Sequence, residues 1–487
     1  MTYLKENYKQ TVLLLSAFVL LLLSSPMFRN NDTTTLFLIF GYGLRTLAIV
    51  LPIFFYYKKQ FNYYICFVLL MSFYNDIYIH LILIIVSLIL FNKKLLPELK
   101  APYIYIYLLF ALSIVSYIIN QFIELDLLSF PIFLITFLLP TVFYGIGYNL
   151  VEKIDLKKII VFFNTIVLAT YAVIYLQILI YGINDPDILT GGTAHPHFAA
   201  VFISISFLIS IFAYKTPDLQ DNIWKRWIII LLYLPEMYFI DAKYILLWVI
   251  ITIFLVSVFL ILNKKLYRTV LIVFGAISLI LLLKTNFNLP MSHVAVKYKD
   301  FGIIDLERRF KTTQKFEMLK NLASLPKNDL NVFLIGAGPG TFLSQAGNFR
   351  MPKKENEFFV TLGGQNIKVS KYFNSKISWV KTKYGQFYLQ QPLSSSAFSD
   401  WRSSYINLVF ELGIIGLGFY LLFYLANIKI AFDAKLKEDK KQISILLAAL
   451  GILFLLLPLM ELWAEYHNYL IVSMCFIGLL AGNINKK

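Results

Sequence analysis

Long apolar stretches separated by short charged segments run along most of this chain. A helix crossing a bilayer needs about 20 predominantly apolar residues. Blocks of that order predict helices at roughly 11–28, 36–57, 63–74, 77–91, 102–119, 127–148, 159–182, 198–214, 228–240, 244–263, 269–285, 403–428, 443–460 and 466–482, about fourteen in all. Two pairs have short members, 63–74 with 77–91 and 228–240 with 244–263. Each pair reads as a tight hairpin, a re-entrant element or one long tilted helix.

Charge supports the hairpins. With the N-terminus inside, the inner segments carry Lys5, Lys9, Lys58, Lys59, Lys93, Lys94, Lys153, Lys157, Lys158, Lys225, Arg226, Lys264, Lys265, Arg268, Lys435, Lys437, Lys440, Lys441, Lys486 and Lys487. The short outer segments carry Asp32, Asp76, Glu124, Asp126, Asp185, Asp187, Asp241, Glu461 and Glu465, with few opposing cations (Arg29, Lys243). This is the bias that orients spans with cytoplasmic lysine and arginine. Reading either doubtful pair as one span would invert every later loop, so an even count with both termini cytoplasmic is expected. The stretch 11–28 lacks a good small-residue cleavage site and reads as a retained span rather than a signal peptide.

Composition agrees with an all-α integral membrane protein. Hydrophobic residues make up 59% of the 487 and charged residues only 15%, against about 25% charged in a soluble domain. Cys66 and Cys475 both lie within apolar blocks and point to neither disulfide nor metal. No His/Asp/Glu cluster has metal spacing, and no cofactor is expected.

The formal charge of +16 is concentrated in an unexpected place. The chain divides into 1–285 with about eleven helices, one long outer loop at 286–402, and 403–487 with about three helices. That loop holds seventeen Lys/Arg and eight Asp/Glu, leaving 17 − 8 = +9. Nucleic acid is not expected outside a membrane. The alternatives are a solvated charged surface or a site for an anionic ligand, such as a phosphate-bearing lipid. Arginine meets phosphate bidentately, so Arg308, Arg309, Arg350 and Arg402 rank above the lysines.

Within the loop, Glu307–Leu325 reads as an amphipathic helix followed by Pro326. Leu334-Ile335-Gly336-Ala337-Gly338-Pro339-Gly340-Thr341-Phe342 follows. It is neither a phosphate-binding loop nor a dinucleotide fingerprint, and predicts a turn with close backbone approach. Trp379, Tyr384, Tyr388 and Trp401 read as sugar-stacking platforms or as the loop's own small core.

Three segments together resemble the O-antigen polymerase/ligase superfamily of bacterial membrane glycosyltransferases. They are Gly191-Gly192-Thr193-Ala194-His195-Pro196-His197, the Arg308-Arg309 to Phe342 stretch, and Ser403-Ser404-Tyr405-Ile406-Asn407-Leu408-Val409-Phe410-Glu411-Leu412-Gly413-Ile414-Ile415-Gly416. The likeness covers roughly 185–425. Ligase-type members place a His-Asn pair before the third segment, where this chain has Asp400-Trp401-Arg402. Its own His467-Asn468 opens the last predicted helix, and Ala242-Lys243 stands where many members have Ser-Arg. These departures favour a polymerase over a ligase.

The resemblance implies a GT-C-like architecture in the bacterial inner or plasma membrane, with the active site on the outer side. Its donors are glycans on undecaprenyl diphosphate, in a membrane lipid setting, with a chain-length regulator as a possible further partner and no metal. An acceptor hydroxyl attacks the anomeric carbon and the lipid diphosphate leaves. Arg308, Arg309 and Arg402 would hold the diphosphate, with Lys243 assisting, since fixed cations stabilise charge that develops on a leaving group. Asp400, His195, His197 and His467 are candidates for the base. Arg45, inside an apolar span, reads either as another phosphate contact or as a partner of Glu236 or Glu411. His80 reads as a packing histidine. A ligase sharing the same donor, and a lipid-oligosaccharide flippase, are the competing readings. A transporter would be expected to show repeated halves and short loops on both sides, neither of which is seen.

Overall fold

A computed structural model describes residues 14–22, 35–74, 77–95, 102–122, 129–182, 189–193, 196–213, 223–240, 242–261, 325–327, 330–339, 404–435, 437, 440–459 and 467–486. Among these there is no strand, and the chain folds as a helical bundle. Residues 14–22 form α1. There follow α2 (Thr35–Tyr57), α3 (Phe61–Phe73), α4 (Ile77–Leu95), α5 (Tyr103–Tyr117), α6 (Ser129–Phe133), α7 (Val142–Leu150), α8 (Leu156–Tyr181), α9 (Pro196–Phe212), α10 (Ile223–Phe239) and α11 (Lys243–Ile261). The later elements are a short α12 (Leu330–Ile335), then α13 (Ser404–Ala434), α14 (Lys441–Leu456) and α15 (His467–Lys486).

Four stretches among the described residues are long and apolar enough to cross a membrane: Tyr103–Asn120, Leu156–Tyr181, Ser404–Ala434 and Asn468–Lys486. Others are apolar but shorter, including Phe61–Phe73, Pro196–Phe212 and Lys441–Leu456. The four differ in place. The Asn468–Lys486 stretch is 89% buried against 28% for Tyr103–Asn120, which puts α15 at the centre and α5 at the rim.

The centre is made by small residues. Lipid tails give no hydrophobic drive between helices, so close backbone packing must supply the attraction. Gly478 and Gly482, four apart on α15, lie against the Tyr144 and Tyr148 carbonyls of α7, and Gly147 lies against Cys475. A Cβ on Gly147 would sit 2.8 Å from the Cys475 oxygen, closer than a carbon and an oxygen can approach without something shifting. Tyr144 Oη donates to Asn427 Oδ1 of α13 at 3.1 Å, a satisfied polar contact in the same layer.

The pairs that were ambiguous in sequence are separate helices. His80 Nε2 bonds the Met71 carbonyl at 2.9 Å, and Tyr64 bonds Ser87. Both pairs straddle the same turn, so α3 and α4 run antiparallel as a hairpin. His80 therefore packs as a hydrogen-bonded histidine. Likewise α10 and α11 are two helices, α10 beginning at Ile223 rather than near 228.

Two predicted spans are not regular. The segment expected at 127–148 runs as α6, a π turn (Leu134–Leu138), a 3-10 turn (Leu139–Thr141) and α7. Pro140 explains this: it has no N–H to give to Thr136, and its ring crowds that carbonyl. The span expected at 403–428 extends to Ala434 and is interrupted at Gly413.

Hydrogen bonds gather the basic residues at one end. Lys486 Nζ donates to Asn149 Oδ1 at 3.0 Å, Lys440 Nζ to the Ile484 carbonyl at 2.6 Å, and Asp155 N to Asn62 Oδ1 at 2.8 Å. These ties place Lys153, Lys157, Lys158, Lys440, Lys441 and Lys486 together, with the Lys58–Lys59 turn beside them.

Candidate functional site

The opposite end holds the described parts of the motif segments. Gly336 follows α12 directly, and the backbone from there to Gly338 lies against α13 at the point where α13 breaks. Gly413 has φ 72° and ψ −180°, outside helical geometry. In an unbroken helix the Phe410 and Glu411 carbonyls would accept from residues 414 and 415. Here they accept from elsewhere: Ala337 N donates to Phe410 O at 2.8 Å and Gly338 N to Glu411 O at 3.0 Å. The fit leaves no room for side chains at either glycine. A Cβ on Gly336 would collide with the Glu411 carbonyl, and one on Gly413 with the Leu334 carbonyl. The close backbone approach expected of this glycine-rich run is what the structure contains.

A third element locks the joint. α5 continues as a π turn (Ile118–Phe122), and its Asn120 Nδ2 donates to both the Ser116 carbonyl and the Gly336 carbonyl at 3.0 Å. Ser116 Oγ reaches the Glu411 carbonyl at 3.4 Å. Buried backbone polar groups need partners, and here two side chains of α5 supply them. Ser404, Asn407 and Glu411 are all buried on the face of α13 leading to the break.

The glycine-histidine segment is built differently. Gln177 of α8 accepts from Gly191 N at 3.0 Å, and its Nε2 donates to Thr190 Oγ1 at 3.4 Å. Thr193 closes the turn onto the Thr190 carbonyl. Leu189, Thr190 and Thr193 are buried, and Gly192 abuts the backbone of Leu21 in α1. Pro196 then opens α9, a position where its missing N–H costs nothing.

The nominated residues are placed as follows. His197 is half-buried at the start of α9. Lys243 is the first residue of α11 and His467 the first of α15, so all three lie in the first turns of helices at the end opposite the basic cluster. Arg45 of α2 lies with its guanidinium 4.4 Å from the Tyr78 ring centroid and 5.4 Å from that of Tyr42, a cation–π arrangement that ties α2 to the start of α4. Arg308, Arg309, Asp400, Arg402 and His195 lie outside the described residues. So do the predicted helix at 269–285, Arg350, the aromatics from Trp379 to Trp401, and all of the predicted amphipathic helix but Leu325. Among the described residues no three His, Cys, Asp or Glu side chains gather as a metal site would require.

Sequence reasoning missed Asn120, Ser116 and Gln177, which hold the motif segments. The available signal was an amide or hydroxyl in an otherwise apolar run. Compared with known proteins, the chain matches no family model and no curated sequence.

Proposed function

We propose that this chain is a polysaccharide polymerase that joins oligosaccharide units carried on polyprenyl diphosphate. The observation that supports this reading best is the docking of Gly336–Gly338 onto the break at Gly413. Two separate segments on which the family resemblance rests meet in one joint, and Arg402 immediately precedes Ser403, where the second of them begins.

The proposal includes the finer topology: about fourteen spans, both termini cytoplasmic, a GT-C-like arrangement, and the 286–402 loop on the extracytoplasmic side of a bacterial inner or plasma membrane. The basic residues at one end support this orientation, because cytoplasmic loops are rich in lysine and arginine.

In the proposed reaction the anomeric carbon–oxygen bond of the donor breaks and a new glycosidic bond forms to the acceptor hydroxyl. The hydroxyl proton passes to a base or water, and the lipid diphosphate leaves with the bonding electrons. Arg308, Arg309 and Arg402 are assigned to the diphosphate, with Lys243 and Arg45 as further cations. Asp400, His195, His197 and His467 are the candidate bases. Because the leaving group is already stable as an anion, no acid and no metal need be invoked.

The test is the glycan ladder of cells in which the gene is deleted and then restored. Loss of the ladder with survival of single capped units carries the proposal. Free polymer accumulating on its carrier lipid makes the chain a ligase, and units trapped on the cytoplasmic leaflet make it a flippase.

A further inference from the structure

Glu236 sits on α10, directly after Pro235 and within one turn of the helix end at Phe239. Its side chain is 0% exposed. Neither carboxyl oxygen has a hydrogen-bond partner of ordinary geometry. Pro235 has no N–H, so the helix backbone is also opened one turn earlier, at the Leu231 carbonyl.

The surroundings offer hydroxyls and no described counter-charge. From α8, Tyr171 and Tyr175 face the carboxyl, and Tyr175 is the nearer. On α10 itself, Tyr233 is turned towards α9, stacked on Phe207 at 3.8 Å and bonded to Ser204 at 3.0 Å. Of the helices packed against α10, α9 carries one ionisable residue, His197 at its start. α11 carries Lys243 and Tyr244 at its start and no others; their side chains are outside the description.

The depth of the site follows from register. Lys225 bonds Thr165, Tyr171 bonds the Ile229 carbonyl, and Tyr175 packs on Phe239. Numbers rise together along the two helices, so α8 and α10 run parallel. Glu236 therefore lies near the end of the bundle that holds the Thr190–Thr193 turn, below its surface. A bare carboxylate buried with no well-formed hydrogen bond loses its hydration and gains little in return. Ionisable groups kept inside membrane helices mark ion or proton sites. A metal cation would demand several oxygen ligands, and the described surroundings do not gather them.

We propose that Glu236 is a buried proton-binding site, its carboxyl exchanging a proton with the bundle end at Thr190–Thr193 past Tyr175. The site is independent of the polymerase reading. It is tested on the full chain in native membranes with dicyclohexylcarbodiimide, which enters apolar regions and traps protonated carboxyls. The carboxyl proton moves to a carbodiimide nitrogen while its oxygen bonds the central carbon. Mass spectrometry of the Glu236 peptide should show the adduct at acid pH and at least a ten-fold loss of it across roughly pH 5 to 10. A water-soluble carbodiimide should leave the residue unmodified. Glu236→Gln, which keeps shape and neutrality, should insert normally and show no adduct at this position. Absence of the adduct at every pH in a folded chain overturns the proposal. So does protection by sodium or potassium at fixed pH, which would make the site one for a metal cation.

Discussion

Gly336 and Gly413 are seated reciprocally: Gly336 presses on Glu411 and Leu412, and Gly413 presses on Leu334 and Ile335. Each glycine is thus the gap that admits the residues preceding the other. The joint holds the segment after α12 to α13 through backbone hydrogen bonds, and side chains of α5 close it.

Replacing either glycine by alanine should break this seat. An alanine at the φ and ψ of Gly413, a region nearly confined to glycine, costs about 1–3 kcal/mol from backbone strain, and the collision adds to it. Gly413→Ala should lower the thermal unfolding midpoint of the detergent-purified chain clearly, and the double variant Gly336→Ala/Gly413→Ala by less than the sum of the singles, since both remove one joint. Gly418→Ala, with nothing within 4 Å of its Cβ, should be neutral or slightly stabilising. Equal effects at 413 and 418 would remove the joint from the account.

Asn120→Ala should loosen the joint without emptying the core. Losing a hydrogen-bonded partner of a buried carbonyl costs about 1 kcal/mol. The readout is a cysteine placed at Ala337, which is 7% exposed. It should react slowly with maleimide in the parent and several-fold faster with Asn120→Ala. No change in rate would mean that α5 does not hold the segment.

Arg308→Ala and Arg309→Ala should abolish long-chain product while the protein stays in the membrane. Wild-type chain lengths from both variants would sink the assignment of diphosphate binding to the loop arginines.

A cysteine near position 350 should react with a membrane-impermeant reagent applied to intact cells or spheroplasts, and one near 438 should not. Reversed labelling would overturn the threading and, with it, the proposed side of the reaction.

Helix positions were legible because long apolar blocks admit few other structures in a bilayer. The antiparallel α3–α4 hairpin was legible only through charge: Lys58–Lys59 and Asp76 flank α3, whose 13 residues span about 20 Å at 1.5 Å per residue. The break at Gly413 was hidden. Glycines are common in membrane helices, and nothing local in Glu411–Gly416 distinguishes a break from a packing contact. What decides it is the backbone just after α12, some eighty residues earlier, where the N–H groups of Ala337 and Gly338 take the carbonyls that the helix gives up. Likewise the rings beside Arg45, one turn away on its own helix and at the start of α4, could not be picked out from the sequence. Electrostatic reading of a sequence counts charges, and aromatic faces carry none.

The tie between Asn149 and Lys486 joins residues 337 apart, and the glycine seat of α15 on α7 has a similar span. During synthesis α7 is made long before α15 exists. Until then its glycine notch is unfilled by α15, and the bundle lacks its axle. Assembly of this protein is therefore a late-closing event, in which early helices wait for the last segment to reach its place. Variants at Gly147, Gly478 or Gly482 should be removed by cellular quality control before they are ever tested for activity.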